Sequence, residues 1–294
     1  LEQIKQLQYS ENLSAAAVCK KIGISDSSYS AIKSGTYNGD VDKQMKKVIE
    51  YFVTKQAAAE IYVGTDYKET SISSNVYKII RKLQGGLAIA CGDAGIGKTQ
   101  ACRQYYREHG TNCIYITVNP CIKSSKSVLE LIGSKLNVSS GSVSRLWLEI
   151  SSKLSDGMVI IVDEAQHLTR NAIDTLRSLC DCFDEKGQTL GICFVGNETT
   201  VSRLGGKQKA EFAQIRNRTK NTRFYSVKQI KKSDIEMLFP DIREDTTAVE
   251  FLLCIAQSPQ AIRGAVNLYS NALDNGNVTA KGLSAIAKYM DMAV

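Results

Sequence analysis

The sequence predicts an α/β fold built on a five-stranded parallel sheet, with an all-α domain before it and a helical lid after it. Three observations carry this. Leu87 to Cys91 is an apolar run that opens directly into Gly92-Asp93-Ala94-Gly95-Ile96-Gly97-Lys98-Thr99, a phosphate-loop pattern filled at every fixed position. Met158 to Asp163 is a second apolar run, closed by the acids Asp163 and Glu164, and a strand with no polar residue before its carboxyl end suits a parallel sheet covered on both faces. Residues 1–60 and 232–294 show helical periodicity instead.

Within residues 1–60, Ala15, Val18, Cys19 and Ile22 recur at helical spacing, Gly23 ends that helix, and Ser25 caps a second one continued by Tyr29 and Ile32 up to Gly35. Helix, glycine turn and short second helix form a helix-turn-helix pattern. The second helix exposes Ser27, Ser28, Ser30, Ala31 and Lys33, and none of these pairs bidentately with a base edge. Weak sequence preference follows, with Lys20 and Lys33 as candidate phosphate contacts. A helical protein–protein module is the alternative for this domain.

Residues 61–75, with Gly64 and a Ser/Thr run, read as a linker, and Val76 to Leu83 as a short amphipathic helix leading to the first strand of an α/β core over 76–231. The phosphate loop is followed by a helix-compatible stretch from Gln100 to His109. Further strands are predicted at Cys113–Val118, Met158–Asp163, Gly191–Gly196 and Thr222–Val227. Residues 232–294 carry helices at 234–239, 246–257, 259–273 and 280–290, with Ser258-Pro259 read as a cap and first-turn pair and Arg263 in the first turn that follows.

The chemistry follows from these placements. Backbone N–H groups of the loop and the helix N-terminus cradle phosphates, Lys98 reaches the β- and γ-phosphates, and Thr99 offers a hydroxyl to Mg²⁺. Gln100, at the start of that helix, joins Gly92–Thr99 as a candidate ATP contact. Asp163 is the second candidate magnesium ligand, and Glu164 a base for the attacking water. Asn197 stands at the carboxyl end of the fourth strand, where a polar side chain meets ligand.

With 294 residues and 43% hydrophobic content the chain can bury a full core in two or three domains. No apolar run approaches the ~18 residues of a membrane span, so no membrane partner is expected. Leu1 in place of an initiator Met predicts a trimmed N-terminus, and it does not begin a signal peptide. The nine cysteines lack metal spacing, and a reduced, cytoplasmic protein is expected. The net charge of +7 is uneven: from Thr200 to Lys232, ten basic residues face one acid, Glu211, for a local +9. Such an excess points to a polyanion, nucleic acid being the commonest. Lys207 and Lys209 in this window, Lys123 and Lys126 after the second strand, and Arg145 complete the candidate DNA contacts.

Taken together, Gly92–Thr99, Val162-Asp163-Glu164-Ala165, Gly196-Asn197, Gly205-Gly206, Glu211-Phe212-Ala213 and Ala261-Ile262-Arg263 resemble the AAA+ ATPases. With Tyr37-Asn38-Gly39-Asp40 and the N-terminal helices, the resemblance narrows to the transposition protein B family of phage Mu and related transposon target-selection ATPases. It implies an AAA+ phosphate-loop ATPase that uses ATP and Mg²⁺, with Asn197 as sensor 1 and Arg263 as sensor 2. Arg216 or Arg218 would be the arginine finger, Arg223 being a further possibility. It also implies nonspecific binding to double-stranded DNA, self-assembly into a helical filament or ring, and delivery of target DNA to a transposase in a bacterial or phage-infected cell. Ala261 departs from the family pattern, which often has glycine there. A site-specific helix-turn-helix regulator and a helicase-loader or initiator-type ATPase are the alternative readings.

Overall fold

The computed structural model describes residues 2–11, 14–63, 67–83, 85–200 and 219–292. The chain divides into two compact units, residues 1–66 and 67–294.

The first unit is helical: α1 (Glu2–Glu11), α2 (Ala15–Ile22), α3 (Asp26–Ser34) and α4 (Val41–Val63). Ser14 and Ser25 cap α2 and α3, each side chain accepting a backbone N–H of the first turn. Ile4, Val18, Cys19, Ile22, Tyr29 and Val48 are drawn from all four helices into one small core. Lys20 and Lys33 stay exposed on α2 and α3.

The second unit opens with α5 (Ser71–Arg81), which starts five residues before the predicted Val76. The Ser/Thr run read as linker is in fact a helix start: Thr70 accepts from Ser73 N, and Ser71 donates to Asp234. Since α4 also runs to Val63, the predicted linker 61–75 is helical at both ends.

The strands β1 (Gly86–Gly92), β2 (Cys113–Thr117), β3 (Met158–Asp163), β4 (Leu190–Gly196) and β5 (Thr219–Tyr225) form one parallel sheet in the order β2-β3-β4-β1-β5. Helices α6 (Lys98–His109), α7 (Ser125–Lys135), α8 (Val143–Lys153) and α9 (Arg170–Glu185) cover its faces. Successive strand residues point to opposite faces. Ala88, Ala90, Val159, Ile161, Cys193 and Val195 accordingly enter one core, and Leu87, Ile89, Ile160, Val162, Ile192 and Phe194 the other. β5 starts three residues earlier than predicted and ends at Tyr225, because the Asp93 carboxylate takes the Val227 N–H at 2.8 Å and turns the chain away.

The last helices are α10 (Lys232–Leu238), α11 (Thr246–Ala256), α12 (Ala261–Asp274) and α13 (Ala280–Tyr289). α12 begins two residues beyond the predicted Pro259. The Ser258 hydroxyl accepts from Gln260 N, and Ala261 enters the helix from a left-handed conformation at φ 56°. Residues 232–294 share the core beneath α5 and α6, with Ile235, Leu252, Ile255, Leu268 and Leu283 buried beside Ala88 and Ala90.

Candidate nucleotide site

The carboxyl ends of β1, β4 and β3 lie side by side, and each contributes to one site. The phosphate loop leaves β1 at Gly92, whose φ of 155° and whose closeness to the Tyr225 carbonyl leave no room for a Cβ. Asp93 N donates to that same carbonyl at 3.0 Å, so the mouth of the loop is fixed to the end of β5. Gly95 sits against Ala261 and Arg263, and Arg263 N donates to Gly95 O at 3.2 Å, which docks the start of α12 on the loop. Arg263 is exposed, as is Gln100 in the first turn of α6. α6 opens at Lys98 with Gly97 before it, presenting free backbone N–H groups at its N-terminus.

The Lys98 ammonium donates to Gly92 O at 2.9 Å and to Asp93 O at 2.6 Å. Burial holds it below the ordinary lysine range, opposed by the nearby Asp163 and Glu164 carboxylates. Asp163, 2% exposed at the end of β3, accepts from the Tyr115 hydroxyl at 2.9 Å and from Glu164 N at 3.0 Å. Thr99 also donates to it. Burial pushes the Asp163 carboxyl above the usual carboxylate range, and those hydrogen bonds pull the other way.

Glu164 follows in the left-handed region, at φ 58°, an uncommon conformation for a residue with a Cβ. Its carboxylate accepts a hydrogen bond from the Gln166 side chain, whose carbonyl accepts from Asn197 N at 3.3 Å. Asn197, at the end of β4, receives Thr199 N and Oγ1 on its side-chain oxygen at 3.0 and 2.7 Å. β4 lies between β1 and β3, so Asn197 stands between the loop and the paired acids.

Of the predicted residues, the structure brings Gly92–Thr99, Gln100, Asp163, Glu164, Asn197 and Arg263 to one end of the sheet. Arg216, Arg218, Lys207 and Lys209, with Gly205-Gly206 and Glu211-Phe212-Ala213, lie outside the described residues. Arg223 is central in β5, paired with Ala90. Lys123 and Lys126 are exposed around the capped start of α7, with Lys126 3.9 Å from Glu130. Arg145 on α8 is paired with Glu149 at 2.6 Å.

Two site residues lacked a sequence motif. Tyr115 is the one aromatic in the β2 run Cys-Ile-Tyr-Ile-Thr, and its register opposite Ile161 puts it on the face that carries Asp163 two residues on. Burial and the Asp163 charge push its hydroxyl up to about 12, which keeps it a donor. Gln166 could be placed only once the turn after Glu164 had folded back toward Asn197.

The AAA domain family matches residues 81–204. The ATP-dependent target DNA activator B of Escherichia phage Mu is 27% identical over 289 residues, covering 95% of this chain and 88% of that protein. The Mu-like prophage FluMu DNA transposition protein B of Haemophilus influenzae is 26% identical over 283 residues, covering 92% and 95%. Among solved structures, Cdc6p from Pyrobaculum aerophilum has a TM-score of 0.53 at 16% identity, covering 72% of this chain. The chain spans 63% of that protein's length, and the likeness shows the fold alone. No helix among the described residues is long and apolar enough to cross a membrane.

Proposed function

We propose that this chain, an AAA+ ATPase resembling the target DNA activator B proteins, binds duplex DNA with little sequence preference when it holds ATP. It assembles on that DNA as a filament or ring and presents it to a transposase. The observation that carries the reading is the span of the likeness: the ATP-dependent target DNA activator aligns over 95% of the chain, N-terminal helices included, and not merely over the phosphate loop.

The site's chemistry fits ATP hydrolysis. The α6 N-terminus and the loop amides receive the phosphates, and Lys98 exchanges the carbonyls of Gly92 and Asp93 for phosphate oxygens. Thr99 and Asp163 supply adjacent hard oxygen donors that suit magnesium, which neutralises phosphate charge when bound. Glu164 orients and deprotonates the attacking water, with Asn197 beside it and Gln166 holding the carboxylate. Arg263 reaches the phosphates from α12, and Arg216 or Arg218 serves a neighbouring subunit, so that turnover depends on assembly. Lys123, Lys126 and Arg145, with Lys207 and Lys209, carry DNA phosphates, and Lys20 and Lys33 add contacts from a helix-turn-helix in the first unit.

The test is electron-microscope imaging of the protein with duplex DNA of arbitrary sequence, with and without ATP. Continuous filaments or rings on DNA that require nucleotide are expected. DNA-bound dimers confined to one site, with or without ATP, would overturn the reading in favour of a site-specific regulator.

A further inference from the structure

A cleft of about 540 Å³ runs between α5 and β5, and Tyr225, whose carbonyl holds Asp93 N of the phosphate loop, lines one part of it. One wall is a stripe of α5 that includes Asn75 and Lys78, with Lys82 capping its end, and the other comes from Asn221 and Arg223 on β5 and from Lys231 beyond it. All six are exposed. Four of them are cations, no acid lines the cleft, and Lys78, Lys82, Arg223 and Lys231 have no ion pair among the described residues. The acid next to the cleft, Asp234, is 1% exposed, does not line it and accepts from Ser71 N, Ser71 Oγ and Lys231 N. Phe224, 45% exposed, lines the same cleft.

Four cations with no acid among the cleft's lining residues raise a local positive potential that attracts an anionic partner. From Ser71 to the capping Lys82, the α5 wall is about 16 Å long at ~1.5 Å per residue. That length exceeds what a single phosphate needs. Asn75 and Asn221 offer amide donors between the cations, and Phe224 an aromatic surface, as sites that track a single strand combine charge with stacking.

We propose that the α5–β5 cleft binds the backbone of single-stranded DNA through Lys78, Lys82, Arg223 and Lys231, none of which belongs to the phosphate loop or to the Lys123–Lys126 loop. The use of such a site rests on the DNA function proposed above, but its test needs neither ATP nor assembly. A fluorescent oligonucleotide of about ten nucleotides is titrated into the nucleotide-free protein across a salt series, alongside a duplex of the same sequence and a glutamate-rich peptide. In K78E/K82E the single-strand affinity should fall at least tenfold, and the slope of log affinity against log salt should shrink by about 1.4, on the order of 0.7 per phosphate contact. The neutral pair K78Q/K82Q should fall between the two, and circular dichroism with thermal melting shows that both variants are folded. Unchanged single-strand affinity and slope would overturn the proposal. So would a charge reversal that weakens only duplex binding, or a peptide that competes as well as the oligonucleotide. ATP-dependent filaments on duplex DNA that persist in K78E/K82E would leave the proposed function intact while this site stood or fell by itself.

Discussion

At the scale of single residues, the site depends on Asp163 and Glu164, adjacent in sequence and placed in opposite environments. Asp163 is buried and accepts three hydrogen bonds, from Tyr115, Thr99 and Glu164 N, whereas Glu164 is exposed on a strained turn with Gln166 on its carboxylate. Glu164→Gln should retain ATP binding and lose turnover by about 10² or more, the range in which a positioned base contributes. A phosphate-release assay with parallel nucleotide binding checks this, and normal turnover would remove Glu164 from the base role. Tyr115 donates to Asp163 and so supports its orientation. Losing such a support costs a metal site about 10–100-fold in affinity. Tyr115→Phe should therefore raise the magnesium concentration needed for half-maximal hydrolysis at least tenfold, with turnover recovering in excess magnesium. A lowered rate that magnesium does not rescue would mean that Tyr115 serves only the fold.

At the scale of elements, the decisive contact is between the phosphate loop and the start of α12. Ala261 is 1% exposed and left-handed, and its Cβ faces Gly95. Replacing a buried alanine by glycine ordinarily costs about 1.2–1.8 kcal/mol, from a lost methyl at ~0.8 and the greater freedom of the unfolded chain at ~0.4–1. Here relief of a left-handed residue returns about 1–2 kcal/mol. Ala261→Gly should thus lie within about 1 kcal/mol of the parent in denaturant unfolding. Ala261→Val, β-branched at positive φ, should lose more than about 2 kcal/mol. If valine is tolerated as well as glycine, the left-handed turn does not fix this junction.

At the scale of the whole molecule, residues 67–294 hold every described element of the nucleotide site, and their C-terminal helices share a core with the sheet. A fragment of these residues should unfold in one cooperative transition and bind ATP with the affinity of the full chain. Separate transitions for 67–231 and 232–294 would show that the common core does not couple them. The first unit, with its own core of Ile4, Val18, Ile22 and Tyr29, should be dispensable for that binding.

What the sequence by itself determined is whatever is written locally. Glycine and lysine spacing gives the phosphate loop, apolar runs give β1, β3 and β4, and Ser25 before an apolar period gives the capped helix α3. Each follows from backbone geometry within a few residues of chain. The tertiary structure decided what depends on residues far apart. The insertion of β4 between β1 and β3 brings Asn197 to the paired acids, and β2 register delivers Tyr115 to Asp163. Asp93 ends β5 at Tyr225, and Asp234 holds the start of α5, turning a Ser/Thr stretch that reads as linker into a helix. A carboxylate finds its partner by burial and register, and neither is a property of the segment that carries it.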